Sequence, residues 1–70
     1  MIFVKVVMMG RKVETVTLDN GKTVEDALKA ADFLPIPSGY QVRRKNEIVE
    51  MDDRVADGDL ITLVSKVKAG

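Results

Sequence analysis

The sequence contains no cysteine and no histidine. Without cysteine there is no disulfide framework, no thiol nucleophile and no zinc–thiolate site. Without histidine the chain lacks the commonest general base and the commonest metal ligand. Carboxylates could still carry acid–base chemistry, but they are scattered rather than paired. These absences argue against an autonomous enzyme. An excess of one charge is also missing, because eleven basic residues balance eleven acidic ones. Nucleic-acid binders carry a clear basic excess, so nucleic acid is not the expected partner. No apolar run is long enough to cross a bilayer, and the N-terminus lacks the layout of a signal peptide. The expectation is a soluble, cytoplasmic protein with no membrane partner.

The chain has 70 residues, 46% of them hydrophobic and 31% charged, a globular balance rather than a disordered one. That length predicts one domain over residues 1–70, with a core too small to spare many apolar side chains.

Ile2-Phe3-Val4-Lys5-Val6-Val7-Met8 predicts a first strand. With Lys5 facing water, period-two alternation sends Ile2, Val4 and Val6 to the core and leaves Phe3 on the outer face. Met9-Gly10-Arg11-Lys12 supplies a turn, with Met8 and Met9 packing at the hairpin end, and Val13 to Leu18 returns as a second strand. Alternation there places Glu14 on the same face as Val16 and Leu18. A bulge near Glu14 or Thr15 would remove that conflict. After Asp19-Asn20-Gly21, Thr23 predicts a helix N-cap, and Thr23-Val24-Glu25-Asp26 approximates a capping box. Val24, Ala27, Leu28 and Ala31 form an apolar stripe at helical spacing. Pro35 and Pro37 prevent the helix from resuming. Tyr40 to Arg44 reads as a third strand with Tyr40 and Val42 inward. Lys45-Asn46-Glu47 reads as a turn with Asn46 left-handed, and Ile48-Val49 as a short strand. Val55 is expected in the core.

Asp57-Gly58-Asp59 predicts a tight turn, since Asp caps its own backbone and Gly accepts positive φ. Leu60-Ile61-Thr62-Leu63-Val64 follows as a strand rich in β-branched residues. Lys66-Val67-Lys68-Ala69-Gly70 then forms a flexible tail over residues 66–70. For the first and last strands both to be long and apolar they should be central, and therefore parallel neighbours. The fold class is α+β, a mixed four- to five-stranded β-grasp sheet packed on one helix in β-β-α-β-β order. One helix covers one face, and the other meets water or a partner.

Ile2-Phe3-Val4-Lys5 with its hairpin, followed by Thr23-Val24-Glu25-Asp26-Ala27-Leu28, resembles the opening of ubiquitin-like proteins. Val55-Ala56-Asp57-Gly58-Asp59-Leu60-Ile61-Thr62-Leu63, preceded by Asn46-Glu47-Ile48-Val49 and followed by a terminal glycine, resembles the sulfur carriers of thiamin and molybdopterin biosynthesis. That resemblance implies that an adenylating enzyme activates the carboxylate of Gly70. Sulfur then replaces AMP to leave a thiocarboxylate, which a sulfur-acceptor synthase uses. It implies that ATP is used by the activating partner and that the chain itself binds no cofactor. A side chain on the last residue would crowd the narrow nucleotide site, so glycine suits the chemistry. The departure is Ala69, where these carriers usually have glycine, because alanine restricts φ.

Each candidate residue also has a plainer reading. Gly70 could be only the last residue of a domain. Phe3, Leu60, Thr62 and Val64 form either a docking patch or ordinary exposed side chains. Lys66 and Lys68 either steer the tail toward an acidic channel or keep a strand edge from associating. Arg43-Arg44-Lys45 reads as a solvated strand end rather than a phosphate site, since alternation splits the two arginines between faces. Glu50, Asp52 and Asp53 read as a polar loop rather than a metal site. The alternative function is an unmodified β-grasp interaction module that docks through its open sheet face.

Overall fold

The computed structural model describes residues 1–66. Strands β1 (Ile2–Met8) and β2 (Lys12–Leu18) form an antiparallel hairpin, followed by helix α1 (Val24–Ala30). Strands β3 (Tyr40–Arg44), β4 (Glu47–Ile48) and β5 (Leu60–Ser65) complete the order. The five strands make one sheet in the order β2-β1-β5-β3-β4. Strand β5 therefore lies in the middle, parallel to β1 and antiparallel to β3.

Residues of alternate parity face α1 and build the core. Ile2, Val4, Val6 and Met8 of β1, Val16 and Leu18 of β2, Val42 of β3, and Ile61 and Leu63 of β5 are all buried. Val24, Ala27, Leu28 and Ala31 meet them from the helix, and Phe33 and Val55 close the ends. Burying one such aliphatic side chain fully is worth about 1.5–3 kcal/mol, so the inner face supplies most of the drive to fold. Met8 belongs to this core, whereas Met9 is exposed, so of the two methionines expected to pack at the hairpin end only Met8 does.

A seven-residue helix cannot persist alone, and both ends of α1 are tied down. The Thr23 hydroxyl accepts from the Asp26 N–H, and the Asp26 carboxylate accepts from the Thr23 N–H at 3.0 Å, completing the capping box. The next two donors are taken by the long connection to β5. Val24 N–H donates to the Asp53 carbonyl at 2.8 Å and Glu25 N–H to the Met51 carbonyl at 3.0 Å. At the other end Asp32 adopts φ 62°, its N–H donates to the Lys29 carbonyl, and Phe33 N–H donates to the Leu28 carbonyl. This is a Schellman closure with Phe33 and Leu28 as its buried contact. The helix has thus already ended before the prolines are reached.

The β1–β2 register runs unbroken from Ile2 opposite Leu18 to Met8 opposite Lys12, so the bulge expected near Glu14 is not there. Glu14 keeps the inner parity opposite Val6, yet it is exposed. An edge strand lets a long polar side chain reach water from that side, and no kink is required.

Candidate functional site

The sheet surface turned away from α1 carries a continuous row across all five strands. Register places Val13 beside Val7, Val7 beside Thr62, Thr62 beside Arg43 and Arg43 beside Ile48. A second row joins Thr15, Lys5 and Leu60, while Val64 pairs with Gln41 and Phe3 with Thr17. Phe3 is 58% exposed, Val13 58%, Ile48 64% and Leu60 47%. These are large apolar side chains on one surface rather than scattered singly, which is the pattern of a contact surface.

The sequence-predicted residues Phe3, Leu60, Thr62 and Val64 all fall on this face. Val7, Val13 and Ile48 complete it and were not singled out from sequence. For Val7 the signal was available, because it shares the parity of Phe3 and Lys5. Arg43 and Arg44 separate as alternation requires. The Arg44 Nη1 donates to the Asp59 carboxylate at 3.2 Å and to the Arg54 carbonyl at 2.9 Å. Arg43 lies on the open face, and its Nε is buried with no hydrogen-bond partner.

The turn before β5 fixes where this face begins. Asp59 N–H donates to the Ala56 carbonyl at 3.0 Å, with Gly58 at φ 86° between them. A positive φ at the third turn position is the type II requirement that glycine meets without strain. The Asp57 carboxylate accepts from Phe3 N–H at 2.8 Å, and Gly58 N–H donates to the Phe3 carbonyl at 2.8 Å. Phe3 is thereby held at the edge of the open face by its own backbone. At the other end of β5, Lys66 N–H donates to the Gly39 carbonyl at 2.6 Å. Strand β5 thus ends at the side of the sheet that carries Gly39 and the Met9–Arg11 loop. Lys68, Ala69 and Gly70 lie outside the described residues.

Among the described residues no group of three or more acidic side chains is placed to hold a metal. The acidic connection has a local task instead. The Asp53 carboxylate accepts from Glu50 N–H at 2.9 Å, shaping the loop whose carbonyls close the start of α1. No helix among the described residues is long and apolar enough to cross a membrane.

No family model matches the sequence, and neither does any curated protein. Solved structures do match. SAMP1 from Haloferax volcanii aligns with a TM-score of 0.77 at 20% identity, over 97% of this chain and 99% of that one. A candidate molybdopterin converting factor, subunit 1, from Pyrococcus furiosus aligns at 0.74 and 18% identity, over 96% and 100%. Caldiarchaeum subterraneum ubiquitin aligns at 0.68 and 19% identity, over 99% and 98%. The fold is the ubiquitin-like β-grasp. Within the β-grasp the helix lies on one face of the sheet, so the row from Val13 to Ile48 occupies the face the fold leaves uncovered. The β-grasp also makes β5 the central strand, so Lys66 follows a strand in the middle of the sheet rather than one at its edge.

Proposed function

We propose that this chain is a sulfur carrier that is not itself an enzyme. An activating enzyme adenylates the carboxylate of Gly70, with ATP as co-substrate and pyrophosphate as leaving group. A sulfur nucleophile then displaces AMP to leave a thiocarboxylate, which a sulfur-acceptor synthase for thiamin or molybdopterin formation consumes. The chain binds no cofactor of its own, and its expected setting is the cytoplasm. The observation that carries this reading is the near full-length match to a candidate molybdopterin converting factor subunit and to ubiquitin-like proteins. The exit of β5 from the centre of the sheet agrees with it. In this arrangement Phe3, Leu60, Thr62 and Val64 dock the body on the activating enzyme. Lys66 and Lys68 draw the tail toward an acidic channel, and Ala69-Gly70 enters the nucleotide site. Incubation of the protein with an adenylating enzyme from its own genome, ATP and a sulfur donor should raise the intact mass by the difference between sulfur and oxygen. An unchanged mass, with that enzyme active on ATP, refutes the proposal.

The apolar open face equally supports a second reading, an unmodified interaction module. Deleting Ala69 and Gly70 separates the two. A carrier loses its function completely, whereas a module keeps its affinity for a partner.

A further inference from the structure

The two edges of the sheet differ. Strand β4 is only Glu47–Ile48, too short to template another strand, whereas β2 offers seven residues, Lys12–Leu18. The direction of its backbone groups follows from β1. Lys5 and Met9 donate their N–H groups to the Asp59 and Leu63 carbonyls on the β5 side, so Ile2, Val4, Val6 and Met8 turn theirs toward β2. Their partners Leu18, Val16, Glu14 and Lys12 are thereby satisfied. Val13, Thr15 and Thr17 turn N–H and C=O outward, where β2 has no neighbour. Pairing with β1 is unbroken, so no bulge twists this edge away, and the strand contains no proline. Such an edge is a template for a second copy of itself. In an antiparallel pairing about a two-fold axis at Thr15, outward residues meet outward residues. Thr15 then faces its own counterpart and Val13 faces Thr17, each pair exchanging two backbone hydrogen bonds.

One side chain opposes that pairing. Glu14 has inner parity, opposite the fully buried Val6, and it is exposed only because it reaches water past the open edge. A second copy laid along β2 would cover that route. It would set each Glu14 against the buried Val16 of the other copy, with the two carboxylates on one face at a diagonal spacing of about 7–8 Å. An unpaired charge resists such burial. The cation on the same face of β2, Lys12, is engaged elsewhere: its Nζ lies 4.7 Å from the centre of the Phe33 ring and 3.4 Å from the Asp32 carbonyl.

We propose that Glu14 keeps β2 single, its charge preventing the sheet from continuing into a second copy of this chain. The carboxylate occupies a place that alternation assigns to an apolar side chain because the position acts against association rather than for the core. The inference concerns the β2 edge alone and goes beyond the carrier reading.

The test compares the full-length protein with Glu14→Thr and Glu14→Val, by light scattering on a sizing column and by amide hydrogen exchange. The wild type should stay at monomer mass as concentration rises. Both variants should approach twice that mass. Exchange at the Val13, Thr15 and Thr17 amides should slow roughly tenfold once nine-tenths of the chain is paired. Glu14→Lys, which restores a charge, should remain monomeric. Adding Thr15→Pro to either neutral variant should return the monomer, because proline on an edge strand removes only an outward N–H. If Glu14→Val precipitates, Glu14→Thr decides alone. Monomeric neutral variants overturn the proposal, as does a wild type or Glu14→Lys protein that already pairs along β2. Association that leaves these three amides exchanging freely would use another surface, and it overturns the proposal too. No activating enzyme takes part, so this outcome is separate from that of sulfur loading.

Discussion

Asp32 stands at the left-handed position that ends α1, with φ 62°, where glycine is the usual residue. An L-residue there carries a steric cost that glycine lacks. Asp32→Gly should therefore stabilise the protein by about 0.5–1 kcal/mol, read as a higher midpoint in denaturant melts; a lower midpoint would mean that the carboxylate contributes more than the backbone loses. The opposite extreme is Leu28, which is fully buried. Leu28→Ala should cost about 2–5 kcal/mol by opening a cavity, enough to unfold much of a domain this size. Leu28 was legible in the sequence because helical spacing from Val24 to Ala31 marks one face, and all four of those side chains are buried. Phe33 was not. It lies past the helix, and only the reversal of the chain at Asp32 turns it back onto Leu28, a consequence of one dihedral angle that no periodicity reveals.

At the level of elements, the helix start was readable and its support was not. Thr23 and Asp26 announced the capping box, but the carbonyls of Met51 and Asp53 that satisfy Val24 and Glu25 come from a connection far along the chain. Thr23→Ala should cost about 1 kcal/mol, measured by chemical denaturation. The box also sets a pH dependence. The Thr23 backbone N–H and then its hydroxyl, with lesser help from Lys22 and Lys29, hold the Asp26 carboxyl below its ordinary value of 3.8 against the opposing effect of desolvation. The folded state thus binds this proton more weakly than the unfolded state does. The stabilisation is complete above the ordinary value and is lost as pH falls through the lower folded value. Against Asp26→Asn, the wild-type advantage should be constant near neutrality and shrink in acid below 3.8. An advantage that does not change with pH would show that the charge of Asp26 contributes nothing. Strand β2 gives the complementary lesson, because Glu14 on an inner-parity position suggested a bulge. The edge location that makes the bulge unnecessary depends on strand order, which is settled only when β5 inserts beside β1.

Over the whole molecule, the sheet divides its work by parity. Its inner side chains hold the fold together and its outer ones are free to serve recognition. Central, parallel β1 and β5 could be inferred from two long apolar strands, and so could the side to which each residue points. What could not be read was adjacency. The row Val13, Val7, Thr62, Arg43 and Ile48 draws on five strands, and its alignment exists only through long-range register. Two neighbours in β5 put this division to the test, since Ile61 is fully buried while Leu60 is nearly half exposed. Ile61→Ala should cost about 2–5 kcal/mol, whereas Leu60→Ser should change stability by no more than about 0.5 kcal/mol. If the outer face docks the activating enzyme, Leu60→Ser should nevertheless slow sulfur loading at limiting protein concentration and recover at saturation, because only encounter with the enzyme is weakened. A loss that persists at saturation would place Leu60 in the chemistry rather than in docking. Unchanged loading at every concentration would remove the open face from the carrier's interface altogether.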